Sequence, residues 1–143
     1  FGQQTLQATI QATPSAIDPD LARQTFDRWQ NLVKTEQLHK LEFGITLAQA
    51  AKKLQVPARQ LSNAINQIYG QSFSVYLNDQ RIQEAQKLLT ERADLSIIDV
   101  MHESGFSSKS NFNKEFLRVN GTSPSAYREK HALASQIQNS VAH

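Results

Sequence analysis

Two short clusters of side chains in this sequence have the chemistry to read the edges of base pairs. The first is Arg59, Ser62 and Asn63; the second is Lys109, Ser110, Asn113 and Lys114. Arginine and lysine can bind guanine O6 and N7, asparagine can pair with adenine N6 and N7, and serine accepts either base. Lysine can equally clamp phosphate, a contact that positions a protein on DNA without reading sequence. Lys52 and Lys53 are suited to that second task. So are Thr46, Ser96, Ser107 and Ser108, which stand at or near expected helix starts, where free backbone N–H groups attract anions. Such side chains on an isolated helix are ordinarily just solvated. The elements that carry them decide the matter.

Thr46-Leu47-Ala48-Gln49 is a capping box, with Thr46 as N-cap and Gln49 three residues on. Leu47, Ala50, Ala51 and Leu54 then mark one helical face. After a turn at Gln55-Val56-Pro57, the residues Leu61, Ala64, Ile65 and Ile68 mark a second face, and Gly70 stands where a helix end favours a left-handed residue. Two short helices joined by a tight turn form a helix-turn-helix. With the apolar face turned inward, Ala58, Arg59, Ser62, Asn63 and Asn66 are expected to face outward.

The pattern then repeats. Ser96 caps a helix in which Ile97, Val100, Met101 and Ser104 answer the first unit's spacing at a shift of 50 residues. Past the turn at Gly105-Phe106 the shift becomes 51, and Phe112, Phe116, Val119 and Gly121 answer Leu61, Ile65, Ile68 and Gly70. Residues 70–76 and 121–127 match as well, each supplying a serine N-cap, Ser72 or Ser123. Repetition of this depth identifies two copies of one supersecondary unit. In the second copy Ser108, Lys109, Ser110, Asn113 and Lys114 fall outward.

Between the copies, residues 73–90 contain no Gly or Pro and read as one helix. Eighteen helical residues span about 27 Å, against about 34 Å between successive major-groove faces on one side of a duplex. Upstream, Asp18-Pro19 marks a helix start, with Ala22, Phe26, Trp29 and Val33 on one face and Trp29 as a packing anchor. Residues 1–17 read as a polar linker or disordered terminus, 18–45 as an N-terminal helical extension and 46–131 as the DNA-binding region. Within that region the helix-turn-helix units lie at about 46–70 and 96–121, with a short last helix at 124–131. Residues 132–143 read as a mobile tail.

Charge supports the same division. The net formal charge is only +2, yet residues 43–78 carry no acidic side chain and three basic ones. Residues 79–104 are net acidic and 105–128 net basic again, so each basic block coincides with one copy of the repeat. The chain has no cysteine, and its five glycines are scattered rather than gathered into a phosphate loop. Its four histidines lie far apart, with no spacing that suggests a metal or catalytic set. No enzyme, cofactor, metal or small-molecule site is expected. Aromatic side chains do not interleave with basic ones, which counts against RNA.

The stretch from Ile45 to Arg128, about 84 of 143 residues, resembles the DNA-binding domain of the AraC/XylS family of bacterial transcription regulators. The segments that carry the resemblance are ITLAQAAKKLQVPARQLSNAINQIYGQSFSVYLNDQRIQEAQKLL and LSIIDVMHESGFSSKSNFNKEFLRVNGTSPSAYR. In the second, Gly105-Phe106, Phe112, Phe116, Gly121, Pro124 and Tyr127-Arg128 stand in the family's signature order. The resemblance implies an all-α domain with two helix-turn-helix units joined by a long linker helix, here with an extra N-terminal helix. Its two recognition helices would enter successive major grooves of double-stranded DNA. It also places the groove-reading residues at Arg59, Ser62, Asn63, Lys109, Ser110, Asn113 and Lys114.

Two departures stand out. Met101 replaces a usual small alanine, and Gln55 replaces a usual turn glycine, so that turn is either not left-handed or mildly strained. The resemblance further implies an upstream sensing or dimerising region, membrane-embedded in some arrangements. RNA polymerase is an expected partner compatible with the acidic middle helix, and the absence of cysteine fits a reducing, cytoplasmic compartment. The rival reading is a helical protein-interaction module, acting through the acidic middle helix without sequence-specific DNA binding.

Overall fold

The structure, a computed structural model, describes residues 16–142; the expected linker at 1–17 falls almost wholly outside the described residues. These form seven α-helices and no strand, in keeping with the all-α class and its two helix-turn-helix units. In chain order the helices are α1 (Pro19–Glu36), α2 (Leu47–Leu54), α3 (Ala58–Ala64), α4 (Phe73–Glu91), α5 (Ile97–Glu103), α6 (Lys109–Asn120) and α7 (Pro124–Ala142). The chain divides into two compact units. One comprises the residues up to Leu38 together with Gly44–Tyr76; the other comprises His39–Phe43 and Leu77 onward.

The first unit is built around α1. Its start is fixed by the Asp18 carboxylate, which accepts from the backbone N–H of Asp20 and Leu21 at 3.1 and 3.2 Å. Ala22, Phe26, Trp29 and Val33 are buried on one face, as their spacing predicts, and Thr25 joins them. The Trp29 ring packs on Phe73 and Tyr76 at 5.2 and 5.7 Å, while Phe26 meets Tyr69 and Tyr76. A fully buried ring of this size removes about 150–250 Å² from water, on the order of 4–6 kcal/mol before entropy is counted. This cluster therefore anchors the first helix-turn-helix to α1. Arg28 reinforces it by donating from Nη2 to the Leu54 carbonyl at 2.5 Å, at the end of α2.

The α2 start carries the complete capping box: Thr46 Oγ1 accepts from Gln49 N–H at 3.1 Å, and Gln49 Oε1 accepts from Thr46 N–H at 2.9 Å. Gln55 then adopts the left-handed conformation, φ +59 and ψ +42, so of the two expected outcomes the strained turn is the one present. Past α3 the helix widens into one π turn, Ile65–Tyr69, before Gly70 at φ +80 closes it.

The core of the second unit collects Ile82, Ala85 and Leu89 from α4, Val100 and Met101 from α5, Phe106, and Phe112 and Phe116 from α6. Met101 is absorbed here as an ordinary core side chain, 4% exposed. Ser96, Ser108 and Ser123 cap α5, α6 and α7, their hydroxyls accepting from the backbone N–H three residues on. Val119 does not take the inward position its spacing predicts. It lies past the last core ring, Phe116, and is 42% exposed. The final helix also runs beyond the expected 124–131, to Ala142, because no glycine or further proline interrupts it.

A segment from far upstream completes this unit. The His39 carbonyl accepts from Arg81 Nε at 2.7 Å, and Lys40 Nζ lies 3.4 Å from Glu84 Oε1. The same carbonyl presses on Gly105, whose φ is +102; a Cβ there would stand 2.3 Å from His39 O and 3.0 Å from Lys40 Cα. Only glycine fits that position.

Candidate nucleic-acid interface

In the first unit the second helix of the motif, α3, packs against both α1 and α2. On the flank toward α1, Gln60 Nε2 donates to Thr25 Oγ1 at 3.0 Å. Two turns further along, Gln67 exchanges two 3.1 Å hydrogen bonds with the Ile17 backbone. Asn63 lies between these positions on the helical wheel and is only 6% exposed, contrary to its expected outward placement. The N-terminal helix covers this flank, which the repeat pattern alone treats as free. Arg59 is exposed, and Ser62 and Asn66 are half-buried. Asn66 Nδ2 donates to the Ser62 carbonyl at 2.8 Å, so these two are held together on the remaining face.

In the second unit Lys109, Ser110, Asn113 and Lys114 are all exposed along α6, whose first turn is capped by Ser108. Lys109 and Asn113, four residues apart, share a stripe with Leu117; Ser110 and Lys114 form the neighbouring one. The first stripe lines a groove of about 500 Å³ together with Ile97, Ile98, Ser123, Pro124 and Ser125. Ile98 and Leu117 bring exposed apolar surface to it, 43% and 57% accessible. Sequence reasoning misses both, although their position one helical turn from outward residues is a usable signal.

The phosphate candidates are less uniform. Thr46 and Ser96 are exposed N-caps, each engaged in a reciprocal box, the latter with Asp99. Ser108 is the cap of α6, and Ser107 is exposed in the turn just before it. Lys52 is exposed; Lys53 is ion-paired with Glu36 at 3.1 Å, with both side chains close to half exposed. Such a pair is worth little and competes only weakly with another anion.

Five arginines are held by other groups of the protein, while among the described residues Arg23, Lys34, Lys87 and Lys130, all exposed and off the recognition helices, form no ion pair. Arg28, Arg81, Arg92, Arg118 and Arg128 are all engaged by carbonyls or carboxylates within the fold. Arg118 joins Asp79 at 2.6 Å and Glu115 at 3.0 Å, and the bond to Asp79 raises its already high pKa. Among the described residues, Lys52, Arg59, Lys109 and Lys114 make no ion pair. Each faces solvent from a helix-turn-helix helix. The acidic α4 offers a partner less than its sequence suggests, since Asp79 and Glu84 are already paired with Arg118 and Lys40. Among the described residues no cluster of three metal-ligating side chains exists, and no helix is long and apolar enough to cross a membrane.

The same arrangement recurs in known proteins. A family model described as a helix-turn-helix domain matches residues 50–130. The probable transcription factor PqrA of Proteus vulgaris is 32% identical over 93 residues, covering 65% of this chain and 75% of PqrA. The HTH-type transcriptional regulator ExsA of Pseudomonas aeruginosa is 39% identical over 62 residues, 43% of this chain but 22% of ExsA. The HTH-type regulator YtdP of Bacillus subtilis is 28% identical over 92 residues, 64% of this chain and 12% of its own length. The chain thus spans only a small part of the latter two. Among solved structures, the DNA-binding domain of AdpA, in complex with a target DNA, superposes with TM-score 0.64 at 27% identity, covering 74% of this chain and 94% of that one. The C-terminal domain of AraT, a response regulator from Geobacillus stearothermophilus, gives 0.61 at 28% identity, covering 81% and 88%.

Proposed function

The chain belongs to the AraC-type helix-turn-helix family, and from that premise we infer that it is a DNA-binding transcription regulator reading duplex DNA sequence-specifically through α3 and α6. The observation that carries this reading is the doubled motif with exposed, unpaired cations on both outward faces, Arg59 on α3 and Lys109 and Lys114 on α6. The DNA-bound state of the similar AdpA domain supports it. Arg59 and Ser62 read bases from α3, with Asn66 beside them. Lys109, Ser110, Asn113 and Lys114 divide base and phosphate contacts on α6, in a second major-groove segment. Lys52, Lys53 and the exposed caps Thr46, Ser96 and Ser108, with Ser107, hold phosphates. The proposal extends to RNA polymerase as a protein partner, to an upstream sensing or dimerising region, and to a cytoplasmic site of action. The family is one of regulators rather than enzymes.

Selection of random duplexes by this chain, at two salt concentrations, tests the reading. A motif should be enriched, and affinity should fall steeply with salt as phosphate counterions are released. Equal binding to every sequence would refute the specific reading. Absence of salt-dependent DNA binding would favour a helical protein-interaction module.

A further inference from the structure

His39–Phe43 precede the first helix-turn-helix in sequence yet pack within the second unit. One carbonyl, that of His39, meets both Arg81 Nε, at 2.7 Å, and the Gly105 backbone. Arg81 also donates from Nη1 to Asn78 Oδ1 at 2.7 Å and lies 6.0 Å over the Phe106 ring. A single guanidinium therefore ties the segment to the turn that leads into α6. The His39 side chain is 6% exposed, and its Nδ1 has no hydrogen-bond partner.

We propose that His39–Phe43 is a pH-gated latch of the second helix-turn-helix. It is seated while the His39 imidazole is neutral and released when the ring is protonated, and release loosens the Gly105–Phe106 turn that sets α6. Protonation would place a charged N–H at Nδ1 with no acceptor in a buried site, which is costly. The charges acting on the ring are Lys40 on the latch itself and Arg81 and Glu84 on α4; the turn contributes none, being Gly105 and Phe106. Lys40 and Arg81 repel an imidazolium, and Glu84 is already paired with Lys40. Burial, then Lys40, holds the ring's pKa below its ordinary 6.5, with Glu84 opposing and Arg81 adding to the fall. The sign follows. A released latch takes up the proton near 6.5 and a seated one does not, so seating is fully favoured above that pH and weakens as pH falls below it. One linked proton changes the opening equilibrium by at most about tenfold per pH unit.

The test is amide hydrogen exchange by NMR on the whole chain from about pH 7.5 to about pH 5, corrected for intrinsic rates. Protection at residues 39–43 and 105–108 should fall by up to about tenfold per pH unit, in step with the His39 ring shifts. His39→Gln should abolish the dependence, and His102→Gln, at an exposed histidine, should retain it. Should His39→Gln fail to fold, co-titration of ring and amides in the unaltered chain decides. Protection that stays constant while the ring titrates, or dependence that survives His39→Gln or vanishes in His102→Gln, overturns the latch. None of these readouts involves DNA, so their failure leaves the DNA-binding reading untouched.

Discussion

Replacing Gly105 with alanine should destabilise the second unit by about 2.5–5 kcal/mol, while the same change at Gly70 or Gly121 should cost only about 1 kcal/mol. All three glycines hold positive φ, +102, +80 and +70. Alanine in that region loses about 1–2 kcal/mol, partly offset by about 0.4–1 kcal/mol from a less flexible unfolded chain. At Gly70 and Gly121 nothing lies within 4 Å of an added Cβ, so the balance stops there. At Gly105 the Cβ would stand 2.3 Å from a backbone oxygen, which no side-chain rotation can relieve. The His39–Phe43 segment must lift away. Its loss removes a hydrogen bond from a charged donor, about 1.5–3 kcal/mol, and the partly exposed Lys40–Glu84 pair, at most about 1 kcal/mol. For a unit of this size 1 kcal/mol shifts Tm by about 4–8 °C, so Gly105→Ala should melt at least about 10 °C below the unaltered chain. Far-UV circular dichroism follows the transition. Fluorescence of Trp29, the one tryptophan and a member of the first unit, reports whether the damage stays in the second. A Gly105→Ala protein within about 1 kcal/mol of Gly121→Ala would refute the close approach of the His39 backbone.

Other side chains give outcomes of the same kind. Arg59→Ala should relax discrimination at one base pair by about 1–3 kcal/mol in duplex selection, whereas Asn63→Ala should leave the motif intact and lower the unfolding free energy by about 1 kcal/mol. Lys52→Ala should reduce the log–log salt slope of binding by about 0.9 in anisotropy titrations, and Lys53→Ala by less, because Glu36 already attends Lys53. Burial pushes the Tyr76 hydroxyl up to about 12 from 10. The first unit should therefore keep its stability below pH 10 and lose up to about 3 kcal/mol as pH rises toward 12. Trp29 fluorescence of denaturant unfolding measures this, and Tyr76→Phe should remove the loss.

Features written in local spacing are legible in the sequence. The α1 stripe of Ala22, Phe26, Trp29 and Val33 and the serine and threonine caps depend on residues three or four apart, where helical geometry alone fixes who meets whom. The turn at Gln55 is half legible, since sequence exposes the missing glycine but not whether the backbone tolerates the strain. Asn63 is misplaced by its periodicity for a different reason. Its burial depends on α1 covering a second flank of α3, through partners such as Thr25, which is 35 residues away from Gln60. The His39–Arg81 bond spans 42 residues and leaves no periodic trace. Gly105 can be read as a turn glycine, but the carbonyl that makes it obligatory cannot.

The two copies of the repeat are consequently unequal reading heads. In the first, α3 is seven residues long, passes into a π turn, and has one flank covered by α1, leaving a narrow face with Arg59 as its only unpaired cation. In the second, α6 is a regular helix of 12 residues that exposes two stripes, each carrying an unpaired lysine, beside a groove with apolar walls. A bidentate arginine favours discrimination at one base pair, while lysines act as point charges that chiefly set affinity and its salt dependence. Side-chain removal on each head should separate these roles. Removing Arg59 should change which duplexes are selected more than how salt affects them, and removing Lys109 and Lys114 together should do the reverse, lowering the salt slope by up to about 2. If both changes altered selection and slope in the same proportion, the division of labour inferred from the paired and unpaired cations would be wrong.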